Sequence, residues 1–130
     1  MRRVLSVLAA IVVMAFVGFF AFVNCANAPA KKRIDAANRA AAEQVVSALQ
    51  AHREGAGTYP ATLAELVPAR IPAVPPCATV SGTPREFGYE RGADGKSFVL
   101  RYPEAPFGAL PSDGEYVWDS ARRDWSLEVH

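Results

Sequence analysis

The groups in this sequence that are able to do chemistry are few and far apart. His52 falls near the end of a helical stretch and His130 stands at position 130, and neither has a serine or cysteine at a spacing that builds a nucleophile–base pair. A histidine in the last turn of a helix more often serves the helix dipole than proton transfer. Ser120 and Ser126 lie in no G-x-S-x-G, the elbow that lifts a nucleophile above a sheet. Gly92 and Gly95 belong to a turn with no helix behind it, so they do not build a phosphate cradle. Asp113, Glu115 and Asp119 offer oxygen ligands without the density a calcium loop uses, and read as solvated acids between strands. Trp118 and Trp125 could line a ligand surface, but aromatics facing one another across a small sheet mostly form core. The expectation is no enzyme, no cofactor and no metal.

The two cysteines narrow this further. Cys25 follows an apolar run, as a lipidated cysteine does, but Phe22-Val23-Asn24 does not supply the small residue and leucine that such processing wants. Cys77 is then the single thiol downstream, and one thiol cannot staple a domain. Pairing Cys25 with Cys77 would demand that Cys77 lie against a bilayer surface.

What must position any surface is decided at the front of the chain. No charged residue occurs from Val4 to Val23, a run of 20 residues. A helix of that length spans about 30 Å, the hydrocarbon thickness of a bilayer. A secretory signal has a shorter apolar core of roughly 7–15 residues, so the expectation is an uncleaved anchor over residues 1–28 that meets the lipid bilayer through residues 4–23. The small-x-small sequence Ala26-Asn27-Ala28 keeps the alternative open: a soluble module released after Ala28. Arg2 and Arg3 precede the run, and Lys31, Lys32 and Arg33 follow it, so the positive-inside rule is nearly balanced. An N-terminal Arg-Arg before an apolar run is the ordinary signal-anchor arrangement and favours export of the rest. Beyond the two leading arginines, 12 basic side chains face 13 acids, which excludes the strongly basic face of a nucleic-acid binder.

Residues 29–130 form one small domain. Ile34, Ala37, Ala41, Val45, Ala48, Leu49 and His52 recur at helical spacing, while Lys32, Asp35, Arg39, Glu43 and Gln50 fall elsewhere. Pro29 either begins this helix or kinks one continuous with the membrane span, and Gly55-Ala56-Gly57 ends it. Next comes a short helix, with Thr62 and Glu65 at capping-box spacing, Leu63, Leu66 and Val67 as its apolar face, and Pro68 as its stop. PARIPAVPP, residues 68–76, must run extended as a strap. After Cys77 the period becomes two: Phe87 and Tyr89, then Phe98, Leu100 and Tyr102 across RGADG. A looser PEAPFGALPSDG leads to Tyr116 and Trp118, then SARRD turns the chain into Trp125, Leu127 and Val129. Two hairpins with one apolar face and an alanine-rich helix to cover them predict a two-layer α+β domain: an amphipathic helix on a small antiparallel four-stranded sheet.

The order of these parts resembles the type IV pilin and type II secretion pseudopilin group. The closest likeness is to the major pseudopilin over roughly residues 29–75, carried by Pro29, the Ala48–His52 segment, Gly57-Thr58-Tyr59-Pro60 and Leu63–Pro68. The resemblance implies that Tyr59 and Pro60 are structural anchors closing the long helix against the domain. It also implies a bacterial inner-membrane protein, single pass, with its domain in the periplasm and a protein partner in the envelope. The apolar segment has neither a glycine before a phenylalanine, which prepilin peptidase needs, nor an acid. The expectation is therefore a pilin-like fold that does not assemble as a main filament subunit. Pro29, Tyr59, Pro60, Trp118 and Trp125 are the residues expected to hold the structure together.

Overall fold

The computed structural model describes the backbone of residues 2–106 and 112–130, and the side chains of these except residues 2–9, 24 and 27. The middle of the looser segment, Phe107 to Pro111, lies outside the described residues.

One helix, α1 (Arg2–Ala56), carries the apolar run and the amphipathic stretch without a break. Its 55 residues correspond to about 80 Å of rise. Pro29 lies inside it and is exposed. Of the two arrangements open to Pro29, the helix neither starts nor stops there: proline removes one N–H and crowds the carbonyl four residues earlier, and the ladder closes again on both sides. The helix ends where glycine permits it. Gly57 has φ +84° and its N–H bonds Arg53 O at 2.7 Å, a left-handed cap.

The chain then reverses. Tyr59 and Pro60 are buried, and a 3₁₀ helix, Leu63–Leu66, follows in place of α-helical turns. The Glu65 carboxylate accepts the N–H groups of Ala61 and Thr62 at 3.0 and 3.1 Å, which is the reach-back half of the expected capping box. The strap differs from expectation at its start. Residues 67–70 coil into a turn, with Arg70 N and Ile71 N both donating to Leu66 O, because the end of the short helix still offers a free carbonyl. Only beyond it does the chain run irregular and open to Cys77, which pairs with Arg85 through two backbone bonds.

The sheet is open, antiparallel and in chain order: β1 (Gly88–Arg91), β2 (Phe98–Pro103), β3 (Gly114–Asp119) and β4 (Asp124–Val129). Register puts Tyr89, Leu100, Trp118 and Trp125 in one row across all four strands, and Tyr102, Tyr116 and Leu127 in the next. These rows face α1. Asn38, Ala42, Val45, Val46, Ala48 and Leu49 are its buried stripe. The stripe is rotated from the expected one: Ala37 is exposed, and Asn38, Ala42 and Val46 take part instead. Asn38 can be buried because both ends of its amide are used. Nδ2 donates to Ala78 O at 3.0 Å and Oδ1 accepts Ala78 N–H at 2.7 Å, so the side chain pairs the strap as a strand would.

The fold is thus α+β, with one long N-terminal apolar helix and a four-stranded antiparallel sheet. Tyr59 meets Phe98 edge-on at 4.7 Å between centroids and is 4% exposed. Tyr59→Ala in the full-length, detergent-solubilised protein is expected to lower unfolding free energy by about 2–4 kcal/mol. Tyr59→Phe removes only a 3.4 Å contact from Arg53 to the hydroxyl and should cost less than about 1 kcal/mol. Equal losses for the two in chemical denaturation would contradict a packing role for the ring.

Candidate functional site

The described side chains from Ala10 to Phe22 are all exposed. None of the most apolar 18-residue stretch of the helix is buried against the domain. Ile11, Val12, Val13 and Met14, four consecutive residues that go round the helix, are 53%, 65%, 60% and 69% exposed, so no side of it is covered there. By length and composition this segment can cross a membrane or serve as a signal sequence.

The domain grips the helix where that segment ends. Lys31 Nζ donates to Glu104 Oε1 and Ala105 O, each at 2.7 Å, and pairs with Asp35 Oδ2 at 3.1 Å. Asp35 Oδ1 in turn accepts Ala105 N–H at 3.1 Å, and Ser112 Oγ donates to Glu104 Oε2 at 2.7 Å. All three ammonium protons have acceptors, and the charges stand mostly out of water, with 19% of each side chain exposed. A Cβ at Gly114 would come within 2.6 Å of Glu104 Oε2, so a side chain there would displace the carboxylate from the clasp. Burial lowers the pKa of Lys31, but bonds to Glu104 and Asp35 outweigh it and leave the group raised. The bonds from Lys31 and then Ser112 hold the Glu104 carboxyl below the ordinary range.

At the other end, Tyr59 and Pro60 are stitched to the first hairpin. Tyr59 N–H donates to Gly95 O at 2.8 Å, Arg91 Nη1 to Tyr59 O at 3.1 Å, and Tyr89 Oη to Pro60 O at 2.7 Å. Trp118 and Trp125 are half-buried partners, 5.4 Å apart between centroids. The Arg39 guanidinium stands 4.3 Å above the Trp125 ring, so a residue assigned to the polar face covers the far half of the sheet with its stem and charge.

The remaining chemical candidates do not converge. His52 is half-buried along α1, and His130 Nε2 lies 3.9 Å from Glu115. Asp119 pairs with Arg122 and accepts Ala121 N–H inside its own turn, while Asp113 is exposed. Among the described residues no three His, Cys, Asp or Glu side chains are placed to hold a metal. Cys25 is exposed on the helix, and Cys77 is buried and unpaired. Burial raises the Cys77 thiol to about 11, which keeps it protonated and inert near neutrality and makes it a small core residue.

A groove of about 640 Å³ runs between the short helix, the strap and the approach to β1, lined by Leu63, Val74, Pro75, Phe87 and Tyr89. Sequence reasoning missed the docking of Glu104 and Ala105 on Lys31, 73 and 74 residues away, and that of Ala78 on Asn38, 40 residues away. No protein-family model, curated protein or solved structure matches this chain.

The clasp has a pH window. Glu104 is depressed in the folded state, so its contribution is complete above the ordinary value of 4.5 and disappears as pH falls through the lower folded value. Lys31 is raised, so its share is complete below 10.5 and disappears as pH rises beyond that. Glu104→Gln is expected to cost about 1.5–3 kcal/mol at pH 7, the worth of a hydrogen bond to a charged group. The gap in thermal midpoint between the unaltered protein and this variant should close as pH falls below 4.5. A gap that stays constant down to acid pH would show that Glu104 does not act through its charge.

Proposed function

We propose that this chain is a membrane-anchored, pilin-like protein of the bacterial envelope that acts by protein–protein contact. In this reading residues 4–23 lie in the inner membrane and the α+β domain stands in the periplasm. The observation that carries it is the exposed apolar half of α1, joined without interruption to a helix half that forms the core of a domain. Between Val4 and Val23 there are 13 Val, Leu, Ile and Phe residues. At the centre of a bilayer each is favourable by roughly 0.3–0.6 kcal/mol, so the run has a net preference of several kcal/mol for lipid. The N-terminal Arg2-Arg3 favours a cytoplasmic head, and the Tyr59-Pro60 reversal, short helix and small sheet follow the order of parts in pilins and pseudopilins. Among the described residues no nucleophile stands beside a histidine and no metal-ligand cluster forms, which favours contact over catalysis. The groove beside the proline strap and the open edge at β4, where Leu127 and Val129 are 47% and 74% exposed, are the surfaces available to a partner.

A second reading is a soluble periplasmic or secreted binding module released after Ala28. It is favoured by the bonds of Lys31 to Glu104 and Ala105, which would survive loss of residues 1–28.

Alkaline carbonate washing of membranes is expected to leave the protein in the pellet, and alkaline phosphatase fused after His130 should be active. Recovery of a chain beginning at Pro29 from the soluble fraction would overturn the anchored reading in favour of the released module. An inactive fusion that is retained in membranes would overturn the periplasmic placement.

A further inference from the structure

A second cavity, about 480 Å³, opens at the end of α1 farthest from the apolar half, where the helix cap meets the turn between β3 and β4. We propose that it binds a small oxyanion, a phosphate or carboxylate group, between the guanidinium groups of Arg53 and Arg123 and the hydroxyl of Ser120. This inference does not rest on the membrane anchor.

The lining is rich in hydrogen-bond donors. Gln50, Arg53, Ser120 and Arg123 contribute side chains, and Glu54 is the single acid, so the site has net positive charge. Ser120 Oγ is fixed by accepting Phe98 N–H at 2.8 Å, and its own proton has no protein acceptor among the described residues. Arg53 is held by its contact with the Tyr59 ring at 5.2 Å and by one long bond to the Tyr59 hydroxyl, which leaves most of its fork unused. No carboxylate lies within ion-pairing distance of Arg53 or Arg123 among the described residues. The two acids flanking the turn, Asp119 and Asp124, both pair with Arg122 instead.

Arg123 is the telling member. Its φ is +57°, in the left-handed region that glycine occupies without strain, and the turn closes through its backbone alone, with Arg123 N–H on Asp119 O at 2.7 Å. The fold asks for a glycine-like backbone, and among the described residues the arginine side chain makes no hydrogen bond or ion pair. A residue that strains the turn and leaves a free guanidinium at the mouth of a donor-lined cavity fits recognition of an anion. Paired arginines suit a planar carboxylate or a phosphate, both of which accept two parallel N–H bonds.

The substitution that tests this separates binding from folding. Full-length, ¹⁵N-labelled protein in nonionic-detergent micelles is titrated at fixed ionic strength with sodium phosphate, sodium acetate or sodium chloride. Saturable shifts of the Ser120 amide and of arginine Nε resonances are expected with phosphate or acetate and not with chloride. The tighter of the two identifies the group that the site prefers. Arg123→Gly should weaken that binding by at least about tenfold, as loss of one charge-assisted contact does, while leaving the thermal midpoint equal or higher. Arg53→Gln should weaken it as well. Shifts that never saturate, or that match chloride, would overturn the site. So would undiminished binding by Arg123→Gly, or a lowered midpoint in that variant, which would assign Arg123 to the fold.

Discussion

The edge-on contact of Tyr59 with Phe98 is the junction through which the two layers meet. Phe98 opens β2, the inner strand that contributes most buried residues, and Tyr59 is the third residue beyond the helix. Their rings at 4.7 Å fix the angle at which the chain leaves α1, and three hydrogen bonds from the first hairpin hold the Tyr59-Pro60 backbone there. Everything after the reversal depends on that placement. It sets the sheet over the alanine-rich stripe, so that Leu49 and Val45 meet Leu100 and Tyr102 within one core. In a domain this small a few aromatics supply much of the buried area, and the entropy of ordering the strap and loops must be offset by them.

The composition of the helix changes along its length. Its N-terminal half is apolar all round, long and apolar enough to span a membrane or to be a signal sequence, and its C-terminal half is apolar along one stripe. Between them stand Pro29 and the clasp at Lys31. Bonds from Lys31 and Asp35 to the segment after β2, from Asn38 to Ala78, and the Tyr59–Phe98 contact just past the helix end tie the domain to α1 along its C-terminal half. A domain built in this way holds the groove and the far-end cavity at fixed positions along α1.

Much of the fold was legible in the sequence, because it was written in period. The helix, both hairpins and the glycine stop follow from spacing, and the alternation of Phe98, Leu100 and Tyr102 maps directly onto the buried face of β2. What was illegible has a common cause: polar residues whose partners are distant in sequence. Asn38 looks like a surface letter until Ala78 arrives to satisfy its amide. Lys31 reads as one of three flanking cations until Glu104 and Ala105 reach it. Arg39 belongs to the polar face by pattern, yet its guanidinium roofs Trp125. The turn at residues 67–70 was hidden by Pro68 and the prolines that follow the turn, which signal extension, although proline also permits a reversal. Of the cavity at Arg53 and Arg123 the sequence gives only one hint, an arginine where the β3–β4 turn would suit glycine.

In the proposed reading one continuous helix passes from lipid into the core of the domain. Nitroxide labels placed at Val13, Phe19, Ala30 and Ala36, with Cys25 replaced by serine and the protein reconstituted in liposomes, measure this directly through collision with oxygen and with a water-soluble nickel chelate. The account predicts high oxygen and low nickel accessibility at Val13 and Phe19, reversed at Ala30 and Ala36, in full-length chains. Nickel access at Val13 and Phe19 equal to that at Ala36 would contradict it.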